Sequence, residues 1–138
     1  MTWDHIKIVA TGDPAEDPQL AAVISLVYRK GFKKNAKGTT RVELHQLPDA
    51  LNLVDPVKLI LVHALRARAV VETNWTDLIN TTLRRPNKTV VWTNGSWPLF
   101  PAFAKSGTGL DFTKPGSARQ QLHTLAIAGD LVGLVQRL

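Results

Sequence analysis

The residues best suited to chemistry in this chain are acids set beside loops. An apolar run, IKIVA at 6–10, stops at Thr11-Gly12-Asp13-Pro14, with Glu16 and Asp17 close behind. Carboxylates placed just after a strand can hold a divalent cation or serve as acid or nucleophile, and Asp13 is the candidate here. The same residues also suit structural work, Asp13-Pro14 as a turn and Asp17-Pro18 as the start of a helix. A phosphate cradle needs several glycines and usually a lysine. This loop has one glycine, Gly12, among three acids, so it is neither a Walker A nor a GxGxxG loop. A second acidic group lies in ETNWTD at 72–77, where Glu72 and Asp77 are five residues apart and so not on quite the same helical face.

Aromatic residues form the third group. In WTNGSWPLFP at 92–101, Trp92 could stack on a nucleobase or a nicotinamide, with Asn94 beside it, and Trp97 and Phe100 could anchor a partner protein. The competing role is packing beneath a long loop. The four histidines stand far apart, with no pair at helical spacing, and there is no cysteine, so no zinc site is expected; with the acids after strand one read as turn and cap residues, no metal is expected there either. No GxSxG elbow accompanies the serines. His63 is the one histidine placed near the expected ligand crevice.

The elements that must position these groups read as follows. Residues 6–10 are a buried strand. From Gln19, apolar residues at Leu20, Val23, Ile24, Val27 and Tyr28 recur at three- and four-residue steps, which predicts a helix ending at Gly31. TTRVEL at 39–44 alternates as a second strand, and 47–54 is a short helix or turn. VKLILV at 57–62 reads as a central strand, buried on both faces; the alternative is a helix that Asp55-Pro56 would cap and that would run on to Thr82. A helix over about 68–83, a strand KTVVWT at 88–93, an ordered loop over 96–107, an edge strand GLDF at 109–112 and a last helix capped by Ser117 complete the pattern. Strands alternating with helices call for a parallel sheet. The expected fold is a single α/β domain over 1–138, flavodoxin-like, with a central, mostly parallel five-stranded sheet. Its ligand crevice would lie beyond strands one and three, at Gly12 and His63.

The length of 138 residues suits one domain, and the 44% apolar and 20% charged fractions are those of a folded globular protein. No secretion signal is evident and every long apolar stretch is interrupted by charge, so a cytoplasmic protein with no membrane association is expected. Four Asn-x-Ser/Thr sequons, at Asn74, Asn80, Asn87 and Asn94, then count as local Asn and Thr usage rather than glycan sites. The formal charge is +6, from 17 basic and 11 acidic residues. It is concentrated: Arg29, Lys30, Lys33, Lys34, Lys37 and Arg41 fall within a stretch that holds no acid. Such a run is either a solvated helix end and loop or a phosphate-facing patch for nucleic acid.

VKLILV followed by a loop and then by Val70, Val71, Thr73 and Trp75 resembles the Toll/interleukin-receptor (TIR) domain, which places a serine-x-tryptophan pair at the start of the corresponding helix. LDFTKP at 110–115, leading into a helix, is similar to the end of many bacterial TIR domains. The likeness covers about 57–134. NAD-cleaving members carry a glutamate four residues beyond that tryptophan, where this chain has Ile79; Glu72 precedes the tryptophan and Asp77 lies two beyond it. The resemblance therefore implies a non-catalytic interaction or signalling module that self-associates or binds a protein partner, without a cofactor. A second expectation is an enzyme that binds NAD, a nucleotide or a nucleoside at the crevice, as an NAD hydrolase or a deoxyribosyltransferase does, with Asp13, Glu72 or Asp77 as acid or nucleophile. A third is a nucleic-acid binder working through 29–41.

Overall fold

Ile6, Ile8 and Ala10 are buried while Lys7 and Thr11 face water, the alternation of a half-covered strand, β1 (Ile6–Thr11). The computed structural model describes residues 1–12, 18–26, 39–105, 108–117 and 119. It divides into two units, Met1–Ser96 and Trp97–Leu138.

In the first unit β1 pairs antiparallel with β2 (Gln19–Leu26), and β2 with β3 (Thr40–His45), in the order β1-β2-β3. Seven residues, 12–18, join β1 to β2. A parallel neighbour needs a crossover of a dozen or more, so so short a connection calls for an antiparallel partner. The flavodoxin-like parallel sheet expected from the sequence is thereby overturned. The crevice beyond the carboxyl ends of parallel strands falls with it.

Two reassignments cause the change. The predicted helix from Gln19 is strand β2, whose inward residues Leu20 and Ala22 are buried against the helices. The predicted strand 57–62 belongs to helix α1 (Pro56–Arg66). Asp55 caps α1, its Oδ1 accepting the N–H groups of Val57 at 2.9 Å and Lys58 at 3.1 Å, while Pro56 takes a first-turn position where its missing N–H costs nothing. Val57, Leu61 and Ala64, at steps of four and three, are the buried stripe. The chain then turns at Arg68, which sits in the left-handed region at φ 54°, so the helix does not run on. A second helix, α2 (Trp75–Arg84), starts at its own cap, Asn74, whose Oδ1 accepts from Asp77 N at 2.9 Å. It buries Leu78, Ile79, Thr82 and Leu83.

The inner face of β1 and β2 and the stripes of α1 and α2 make the core of this unit, closed by Trp3, Ala69 and Val90. The expected strand at 88–93 is reduced to one antiparallel bridge, Val9 to Thr89. It borders β1 through Ala10 N donating to Lys88 O at 2.9 Å and Val90 N donating to Ile8 O at 3.0 Å.

In the second unit β4 (Pro101–Phe103) pairs antiparallel with β5 (Leu110–Pro115). The edge strand expected at 109–112 is therefore present, and part of the loop expected over 96–107 is its partner. Trp97 stacks on Phe112 with ring centroids 4.5 Å apart. The expected last helix lies outside the described residues beyond 119. No helix among the described residues is long and apolar enough to cross a membrane.

Candidate functional site

The first unit contains a cleft of about 400 Å³ between the start of β2, the exit from β3, the start of α2 and the 3-10 segment Asp49–Val54. Leu20 and Ile79, both buried, form its floor. Trp75, with Thr76 and Asn80 on the same side of α2, forms one wall. Gln46, Asp49, Asn52 and Lys58 form the other.

The second wall is tightly wired. Lys58 leaves α1 with its side chain only 16% exposed, and its Nζ donates to Asp49 Oδ1 at 2.8 Å and to Asn52 Oδ1. Asp49 and Asn52 lie on either side of a kink at Leu51 (φ −111°, ψ 18°), and both turn a side-chain oxygen to that ammonium. The hydrogen bond and charge of Lys58, with a smaller contribution from the Asn52 amide, hold the Asp49 carboxyl below its ordinary 3.8. Gln46 Oε1 accepts the N–H of Leu20 at 2.9 Å, and Gln46 N donates to Leu20 O at 2.9 Å. Both amide side chains thus spend their oxygens on protein donors.

The residues singled out in the sequence are dispersed. Glu72 is a tether: its side chain is 8% exposed and its Oε1 accepts from Arg85 Nη2 at 2.9 Å, while Arg85 Nη1 donates to Thr89 O at 3.1 Å. Asp77 is exposed and takes the Asn74 side-chain N–H at 2.6 Å, completing the start of α2. His63 stacks on Trp3 at 5.4 Å between ring centroids. Trp92 leans on Trp3 at 5.0 Å and donates its indole N–H to Ile6 O at 2.7 Å, so it seals the start of β1. Asn94 lies in a turn whose neighbours bond to Asp4 and Ala69. Gly12 turns the chain after β1 at φ 98° and its carbonyl accepts from Lys88 Nζ at 3.4 Å. In the second unit Phe100 is exposed. Asp13, Lys30, Lys33, Lys34 and Lys37 lie outside the described residues.

A smaller hollow, about 260 Å³, opens on the uncovered face of the sheet among His5, Lys7, Ser25 and Arg41, with Asp4 also on its edge. It lies at the end of the sheet where β2 and β3 meet the 27–39 segment, Ser25 being paired with Arg41. His5 Nδ1 is engaged by the Thr2 hydroxyl at 2.7 Å.

Of the cleft residues, Trp75 and Ile79 belong to the TIR-like pattern, while Pro18, Leu20 and Asn80 are named in the sequence only as a helix start, a helical stripe and a sequon. The one signal for the rest was Asp49 and Asn52 at a spacing of three. Among the described residues no group of three or more His, Cys, Asp or Glu converges as metal ligands would. No family model matches this chain, and no curated protein or solved structure is detectably similar to it.

Proposed function

We propose that this protein is a cytosolic interaction module that docks a protein partner on the 3-10 segment Asp49–Val54 and the adjoining turn of α1. One observation carries the reading. Leu53 is 91% exposed and Val54 63% exposed, with Leu51 and Leu59 also in water. Single exposed aliphatics are ordinary, but four within nine residues concentrate apolar surface as an interaction site does. The segment is also held in shape by Lys58 clamping Asp49 and Asn52, so a partner meets a preformed ridge. This is the kind of role that the TIR-like resemblance implied, on a different surface from Trp97 and Phe100. The VKLILV stretch that began that resemblance is helical.

A photo-crosslinking residue at position 53, compared with one at the exposed position 68, tests the reading in cells. A discrete protein adduct at 53 alone, lost on Val54→Asp, is expected; the same adducts from both positions would refute it.

The distribution of charge favours a second reading, nucleic-acid binding. Five of the six net positive charges come from Arg29, Lys30, Lys33, Lys34 and Lys37; the rest of the chain carries 12 basic and 11 acidic residues. Lys7 and Arg41 are cations on the open face of the sheet. Under this reading oligonucleotide affinity falls steeply with salt and is abolished by Lys33→Glu with Lys34→Glu.

A further inference from the structure

We infer that the cleft bordered by Gln46, Asn52 and Trp75 is a binding site for a flat ring of nucleobase size with an imide edge, two carbonyls flanking an N–H, as in uracil. The inference does not require a partner on the docking ridge, although Asp49, Asn52 and Lys58 belong to both surfaces.

The cleft's hydrogen-bonding capacity is unevenly spent. The Gln46 oxygen faces the Leu20 N–H and the Asn52 oxygen faces the Lys58 ammonium. Neither amide can be turned around, because its NH₂ group would then meet another donor. Among the described residues Gln46 is thus left with its NH₂ group and Asn52 with N–H beyond what leans on Asp49, at a cleft wall whose amide oxygens are occupied. Lys58 adds a third N–H after its two bonds. A wall of this kind selects a ligand rich in carbonyl oxygens. It also holds one acceptor, since Asp49 uses Oδ1 on Lys58 and keeps a second carboxylate oxygen that can take a ring N–H. Donors together with one ionised acceptor are what an imide edge requires; an aminopyrimidine such as cytosine offers a donor where one of the carbonyls should be.

The remaining surfaces agree with a flat ring. Trp75 supplies an aromatic wall, and bases stack on such walls whatever their identity. Leu20 and Ile79 give an apolar floor that makes no polar demand. The volume of about 400 Å³ falls within the range of small-molecule sites. Asp49 beside Lys58 leaves the wall close to neutral, so an uncharged ring is better suited than a multiply charged phosphate.

The test is protein-observed NMR on the ¹⁵N-labelled full chain. Its four tryptophans give four indole N–H signals, and the one missing in Trp75→Phe belongs to the cleft. Millimolar uridine is expected to shift that signal saturably, together with the Gln46 and Asn52 side-chain NH₂ signals, and to leave the other three indoles in place. Gln46→Glu keeps the oxygen that faces Leu20 and replaces the NH₂ donor by an acceptor; Asn52→Asp does the same beside Lys58. Each should weaken uridine about tenfold, the worth of one hydrogen bond, while the spectrum keeps its native dispersion. Cytidine should bind more weakly than uridine. An oligouridine that moves the same signals at lower concentration than uridine would identify the base of a single strand as the source, and equal or poorer binding a free nucleoside. No shift of the Trp75 indole, equal response to uridine and cytidine, or full affinity in Gln46→Glu would each overturn the assignment.

Discussion

The carboxylate of Asp55 accepts the N–H of Leu47 through Oδ2 at 2.9 Å while its Oδ1 caps α1. One fully buried side chain therefore fixes both the start of a helix and the exit from β3, on either side of the 3-10 segment. Asp55→Ala should lose the cap and strand the Leu47 N–H, costing about 2–3 kcal/mol. Asp55→Asn should recover little, because an amide keeps one oxygen for the helix and turns an N–H toward Leu47. Urea denaturation of the two variants checks this; an Asn variant as stable as the parent would show that the Leu47 contact contributes nothing.

Glu72 and Arg85 form a largely buried ion pair across α2, in which Glu72 Oε2 is buried without a hydrogen-bond partner among the described residues. Removing the cation alone leaves a charge without its counter-ion, so Arg85→Met should cost about 3 kcal/mol. Glu72→Met with Arg85→Met should cost less than Arg85→Met alone, since the stranded charge is gone. The comparison by equilibrium denaturation is decisive in sign: a double variant less stable than the single one contradicts it.

Thr82 is fully buried in α2 and its hydroxyl has no hydrogen-bond partner among the described residues. Thr82→Val keeps the shape and removes that group, so stability should hold or rise by about 1 kcal/mol. A fall in thermal midpoint would mean that the hydroxyl is satisfied in solution.

Asp49 has its carboxyl held below 3.8 by Lys58. A depressed acid contributes stability that is complete above its unfolded value and is lost as pH falls through its lower folded value. The wild-type advantage over Asp49→Asn should therefore be constant from neutral pH down to the carboxylate range and vanish in stronger acid. Thermal midpoints across pH measure it; an advantage unchanged in strong acid would dissociate it from the Lys58 pair.

Part of this architecture is legible in the residues. β1 and β3 alternate plainly, the 3-10 segment follows Pro48-Asp49, and GLDF pairs as an edge strand. β2 reads as a helix because Ala21 and Val23 on its uncovered face are apolar as well, which erases the period of two, while Leu20, Val23, Ile24 and Val27 happen to match helical steps. α1 carried its own correct signal in Asp55-Pro56, obscured by six consecutive residues of which five are aliphatic. That α1 does not run on to Thr82 is decided at Arg68, a left-handed turn without the glycine that usually announces one. The cleft was hardly legible, since Gln46, Asn52, Lys58 and Asn80 share no motif and come together only through the packing of α1 and α2 on the sheet.

Trp92, which hands its indole proton to the Ile6 carbonyl, also has a consequence for how the molecule is made. The first strand of this unit finds its last neighbours, residues 88–95, only after everything between them has left the ribosome. During translation β1 must therefore wait, one border unpaired, for some eighty residues to follow it, and the unit locks only when the tail of its own sequence arrives.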